Sequence, residues 1–411
     1  MKNILYTIGF LVFIYACNQA SSEKKKAIVQ PEDSLQYYPP TPGKLDKQEF
    51  RKYVRTLTSF FDSRLLNRGF NGSILIAKDG HILYEKYVGY ADMRSKEAMT
   101  DSTPIHIAST SKTFTSIAVL RLVQEGKLSL GDTIQRFFPG LPYEGITVRM
   151  LLNHRSGLPN YVYFMDKKGP EPKKDVTNAD MLQALYNEKP GKYYKAGKRF
   201  SYCNTNFVLL AMIVEKVTGT PFPQYMKQTI FTPLQMKDTY IFTLADTAKA
   251  IHSYNYNGTV WVNDHLEGTY GDKNVYSTPR DLLKWDQALY TDQLISKALL
   301  DSAFTPYSNE RPSVHNYGLG FRMLNLPNGK KVIYHFGRWH GFNAAFARLT
   351  DEKATIIILG NKFNRGIYSV AHKAYDIFGD YGQDGDHDEE DDNDAHKLTM
   401  VKSPTAPDKH L

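Results

Sequence analysis

The chain has 411 residues, 42% hydrophobic and 23% charged, enough apolar material for one large domain or two interlocked ones. Its two cysteines, Cys17 and Cys203, exclude a disulfide framework and a cysteine-rich metal site. The formal charge of +8 includes eight acidic residues between Asp384 and Asp394, which leaves +16 on the rest of the chain. That basic excess suits anionic surfaces such as phospholipid headgroups, and no nucleic-acid-binding signature accompanies it.

The first sixteen residues, M-K-N-I-L-Y-T-I-G-F-L-V-F-I-Y-A, carry one lysine and a short apolar run, and fit a signal peptide over 1–16 better than a membrane span. I-Y-A-C resembles a bacterial lipobox, which implies cleavage before Cys17, lipidation of that cysteine and anchoring in the cell envelope. A plain secretory signal or an uncleaved anchor are the alternatives. Residues 17–45 are polar, with Lys24, Lys25, Lys26 and four prolines from Pro31 to Pro42, and read as a tether.

A helix is expected from Asp46, with Glu49 as capping-box partner, through Phe50, Tyr53, Leu57 and Phe61 to a stop at Gly69. Two apolar runs around Asp79-Gly80 predict a hairpin. The pattern S-x-x-K occurs three times, at Ser21/Lys24, Ser22/Lys25 and Ser109/Lys112, and the first two lie in the tether with nothing rigid to orient them. From Thr113 to Glu125 apolar residues cover nearly the whole circumference of a helix that stops at Gly126, so Ser109 and Lys112 are expected one turn apart at the start of a buried helix. A lysine there has its pKa depressed toward the range of a proton acceptor, and the helix start offers oriented N–H groups. A Ser/Thr cap with a lysine reaching out to solvent fits the same local pattern.

Helical patterns dominate from about Pro139 to Tyr290. Strands are expected at 317–323, 331–336, 343–349 and 354–361, then a helix at about Tyr368 to Phe378. Strands near both chain ends imply one sheet built from both termini with a helical region, about 113–300, inserted: a domain over 46–379, followed by a disordered acidic tail over 380–411.

Ser109-Thr110-Ser111-Lys112, Tyr202-Cys203-Asn204 and His335-Phe336-Gly337, in that order, resemble the S-x-x-K, Y-x-N and K-T-G or H-x-G elements of the serine β-lactamase-related family, which includes penicillin-binding proteins, D,D-peptidases and esterases. I-T-V-R-M-L-L-N-H-R-S-G-L, V-Y-S-T-P-R-D-L-L-K-W and Y-G-L-G-F extend the likeness over about Gly72 to Gly379. The resemblance implies an α+β fold of β-lactamase/transpeptidase type, an antiparallel sheet flanked by helices. It also implies a serine hydrolase that cleaves an amide or ester of a small-molecule or peptide substrate through an acyl-serine. Ser109 would be the nucleophile, Lys112 and Tyr202 would share its proton, and Asn204 would bond Lys112 or the substrate. His335 completes the catalytic set, and the backbone N–H groups of Ser109 and Arg338, beside Gly337, would form the oxyanion hole. Cys203 reads as a small buried filler. No histidine spacing suits a metal, and no cofactor is implied.

Alternative readings are a D,D-carboxypeptidase or D-aminopeptidase acting on cell-wall peptides, and a non-catalytic sensor of peptidoglycan fragments. Phe336 stands where β-lactam-binding relatives carry a hydroxyl that helps hold a carboxylate. Weak β-lactam turnover beside measurable ester hydrolysis is therefore expected.

Overall fold

The structure is a computed structural model that describes residues 42–168 and 175–382. The expected signal peptide, the lipidation site Cys17, most of the tether and nearly all of the acidic tail lie outside the described residues. Helix α1 (Lys47–Arg64) starts where Asp46 accepts the N–H groups of Gln48 and Glu49 at 2.7 and 3.2 Å. It ends before the expected Gly69, because Leu65 leaves helical geometry and a 3₁₀ turn, Leu66–Arg68, carries the chain to Gly69 at φ +74°.

The expected hairpin forms as β1 (Gly72–Lys78) and β2 (His81–Val88). After helices α2 (Ser111–Gln124), α3 (Asn204–Thr218) and α4 (Pro279–Ala288) come β3 (His315–Tyr317), β4 (Arg322–Asn325), β5 (Lys331–Trp339), β6 (Phe342–Leu349) and β7 (Ala354–Gly360). Helix α5 (Gly366–Tyr375) closes the body, and all seven strands form one antiparallel sheet in the order β3-β4-β5-β6-β7-β1-β2. The pairing of β7 with β1, from Gly72 opposite Gly360 to Lys78 opposite Ala354, joins the two ends of the domain.

The run A-T-I-I-I-L-G reads as a strand buried on both faces, and it is. Ile356 and Ile358 enter one core with Leu57 and Phe61 of α1 and Ile367 and Ala371 of α5. Ile357 and Leu359 face the other core, with Phe114, Ile117 and Leu120 of α2. The helical region between the sheet halves is more broken than its pattern suggests, since short strands Tyr240–Ile241 and Val275–Ser277 pair beside Ile105–His106.

The expected continuous strand at 317–323 is instead the turn between β3 and β4. Gly318 N–H donates to the Phe321 carbonyl at 2.8 Å, and Gly320 takes φ +81°. A Cβ on Gly320 would lie 2.4 Å from Ser116 Cβ, so this turn sits directly on α2 and only glycine fits.

Candidate active site

Helix α2 is apolar around its circumference and consequently buried from Ser111 to Leu120. Ser109 lies just ahead of it in the 3₁₀ turn Ala108–Thr110, rather than on its first turn. Ala108 adopts φ +48°, an uncommon conformation for a residue with a Cβ, and its N–H donates to His106 Nδ1 at 3.2 Å. Lys112 is 0% exposed. Its Nζ lies 3.1 Å from Ser109 Oγ and donates to the Asp272 carbonyl at 2.8 Å. The choice left open locally is thereby decided: the lysine turns inward and meets the serine hydroxyl.

Tyr202 ends a loop held from below by His154, which takes φ +55° in the H-R-S-G-L segment. The His154 carbonyl accepts the Ser201 N–H at 2.8 Å, and His154 Nδ1 accepts the Cys203 N–H at 3.2 Å. The Tyr202 ring has two basic side chains against it, with Lys112 Nζ 5.0 Å and the Arg322 guanidinium 5.2 Å from its centroid. Asn204 opens α3 and its N–H donates to Asn160 Oδ1 at 3.3 Å. Cys203 is fully buried, its thiol pushed up to about 11 by burial, which suits an inert filler.

Two buried histidines have their tautomers set by backbone groups that can act only one way. His154 Nδ1 accepts from the Cys203 N–H, so its proton sits on Nε2, 3.2 Å from Tyr317 Oη. His335 Nδ1 lies 2.7 Å from the Phe336 carbonyl, so Nδ1 carries the proton and Nε2 accepts from Tyr317 Oη at 3.3 Å. The result is a directed chain from His154 through Tyr317 to His335. Both rings are held well below the usual histidine range, first by burial and then by nearby Lys112 and Arg322. His335 is thus neutral with both nitrogens engaged inside the protein.

Strand β4 pairs only with the first part of β5, up to Tyr334, so His335–Trp339 runs past its end. There β5 meets the nucleophile turn. Thr110 Oγ1 donates to the His335 carbonyl at 3.1 Å, and a Cβ on Gly337 would stand 2.4 Å from the Ile107 carbonyl and 2.7 Å from the Ser109 nitrogen. Arg338, the next residue, is exposed. The Phe336 ring points into the opposite core, stacked on Tyr368 with centroids 5.3 Å apart. The hydroxyl that β-lactam-binding relatives carry here is therefore missing, and the phenyl group does not fill the pocket in its place. His340 is bound to Glu267 Oε1 at 2.7 Å.

Sequence reasoning missed five residues: His154, Tyr317, Tyr161, Asp272 and Lys273. All are at least 97% buried. His154 and Tyr317 lie inside segments quoted for the resemblance. Asp272-Lys273, a charged pair directly before the buried strand Val275–Ser277, is itself a signal, because charge in a buried segment needs partners.

Arranged around Ser109 are a buried amine, a tyrosine against two basic side chains and a strand pressed onto the serine N–H, a set suited to acyl transfer. The Beta-lactamase family model matches residues 61–376. The chain is 34% identical to Penicillin-binding protein 4* of Bacillus subtilis over 77% of its own length and 73% of the relative's. It is 27% identical to D-aminopeptidase of Brucella anthropi over 82% of its length and 63% of that protein's. A solved octameric penicillin-binding protein homologue from Pyrococcus abyssi superposes with a TM-score of 0.68 at 28% identity, covering 78% of this chain and 76% of that one. The order of motifs, the sheet built from both chain ends and these likenesses agree, and the chain belongs to the Beta-lactamase family of serine hydrolases.

Proposed function

We propose that the protein hydrolyses an ester or amide through an acyl-serine formed on Ser109. The observation that carries this reading is the fully buried Lys112 amine 3.1 Å from Ser109 Oγ. A lysine buried against a hydroxyl is positioned to take its proton. Ser109 Oγ bonds to the carbonyl carbon as its proton passes to Lys112, with Tyr202 sharing the transfer. The tetrahedral oxyanion is met by the N–H groups of Ser109 and Arg338. The bond to the leaving alcohol or amine then breaks, the proton passes to it, and water attacks the acyl group by the same route reversed. Asn204, two residues after Tyr202, would bond Lys112 or the substrate, and neutral His335 holds β5 in place.

The missing hydroxyl at Phe336 and the neutral His335 favour esters and amides without a terminal carboxylate over D,D-carboxypeptidase substrates. Hydrolysis at a free D-amino terminus is the second reading, supported by the D-aminopeptidase relative. A pure sensor needs no buried proton acceptor. The test is a pair of measurements on wild type and Ser109→Ala: labelling by a fluorophosphonate, and kcat/KM for p-nitrophenyl acetate against a penicillin. Ser109→Ala is expected to lose labelling and turnover, and the wild type to prefer the ester by about tenfold or more. Penicillin turnover equal to the ester's would instead assign carboxylate binding to another group, with Arg322 the first to examine.

For the N-terminal segment we propose lipidation at Cys17 and residence at a bacterial cell envelope, on the strength of I-Y-A-C after a short apolar run. Cys17→Ser is expected to move the protein from the detergent-extracted to the soluble fraction; retention on membranes after a salt wash would refute the anchor.

A further inference from the structure

Behind Lys112 lies a second buried lysine that the acyl-transfer reading does not use. Lys273 is 3% exposed. Its Nζ donates to Tyr161 Oη at 2.8 Å, to the Thr269 carbonyl at 3.2 Å and to Thr269 Oγ1. Tyr161 donates to Asp272 Oδ2 at 2.9 Å, Thr269 Oγ1 donates to the Leu266 carbonyl at 3.0 Å, and the two hydroxyl oxygens lie 2.8 Å from each other. Three acceptors around one nitrogen, with Asp272, Glu267 and Asp264 favouring its charge, suit the three N–H groups of an ammonium. The Trp339 ring lies 4.8 Å from it, on the strand that passes Ser109. The residue beside it, Asp272, supplies the carbonyl that holds Lys112.

We propose that Lys273 is a positioning residue for catalysis: through Tyr161 and Asp272 it fixes the carbonyl that aims Lys112 at Ser109, and its buried positive charge keeps the Lys112 amine unprotonated. The proposal rests on Lys112 being the proton acceptor in acyl transfer. The groups facing Lys273 are Asp272, Glu267 and Asp264, which favour its charge, and Lys112, whose protonated form and a charged Lys273 disfavour each other; His106 and His340 stand beyond Glu267. Burial lowers the Lys273 pKa overall, as expected for a cation paired at this depth. Removing its charge leaves those carboxylates to act on Lys112, so protonation of Lys112 becomes easier and the acidic limb of the rate profile moves to higher pH.

The experiment is kcat/KM for p-nitrophenyl acetate against pH, in full-length wild type, Lys273→Met, Lys273→Arg and Tyr161→Phe. Lys273→Met is expected to raise the acidic limb by about one pH unit, a rate about tenfold lower below the limb, while labelling Ser109 fully at high pH. Lys273→Arg, which keeps the charge, is expected to restore the limb, an outcome that a merely structural role does not predict. Tyr161→Phe removes one acceptor from the ammonium and is expected to shift the limb the same way by less. A limb unmoved in Lys273→Met overturns the proposal; if that variant fails to fold, an unmoved limb in Tyr161→Phe does so. Wild type unlabelled at Ser109 overturns the acyl-enzyme reading, and this proposal with it.

Discussion

Tyr317 has one hydroxyl and two buried histidines that depend on it. It accepts from His154 at 3.2 Å and donates to His335 at 3.3 Å, so Tyr317→Phe leaves a buried donor and a buried acceptor unpaired at once. Each orphan costs about 1–3 kcal/mol, and a loss of about 2 kcal/mol or more is expected in denaturant titration. An equally stable Tyr317→Phe protein would refute the tautomers assigned here. Ser109 and Lys112 were legible in the sequence because the all-apolar helix after them reports burial. Lys273 showed only as a charge ahead of a buried strand, and its role was not legible because its partner Tyr161 is 112 residues away and hydrogen-bond pairing has no periodicity to read.

Among the elements, β5 carries the closest tolerance. Gly337 is extended, so its need is one of space rather than φ: the strand backbone passes so near the nucleophile turn that a methyl group meets the Ser109 nitrogen and the Ile107 carbonyl. Both are backbone and cannot rotate away. Gly337→Ala is therefore expected to push β5 off the turn, destabilise by about 1–3 kcal/mol, and cut fluorophosphonate labelling more than a hundredfold at temperatures where the protein remains folded. Labelling at the wild-type rate would show that strand and turn are free to part. The same strand shows where element prediction stops. Its apolar run announced a strand, but which side chains face which core depends on register, and only the pairing shows that the Phe336 ring belongs to the far face.

At the scale of the molecule, three histidines, His106, His154 and His335, are buried and neutral, with His106 pulled down to about 4 by burial. A histidine whose folded pKa lies below its unfolded value takes up a proton on unfolding. Stability is thus fully present above about pH 6.5 and falls as pH drops below it, by up to about 1.4 kcal/mol per pH unit for each ring. The Tm is expected to fall clearly between pH 7.5 and 5.5, and less in His335→Gln; a Tm level across that range would contradict neutral burial. The family, the sheet made from both chain ends, and the serine and lysine were determined by the sequence itself, because continuous apolar runs and ordered motifs encode burial and order along the chain. Tertiary structure alone decided the rest: the inward turn of Lys112, the face taken by Phe336, the proton positions on His154 and His335, and the Lys273 cluster behind the amine. Those depend on which groups from distant segments meet in a space without water, where every donor must find its acceptor.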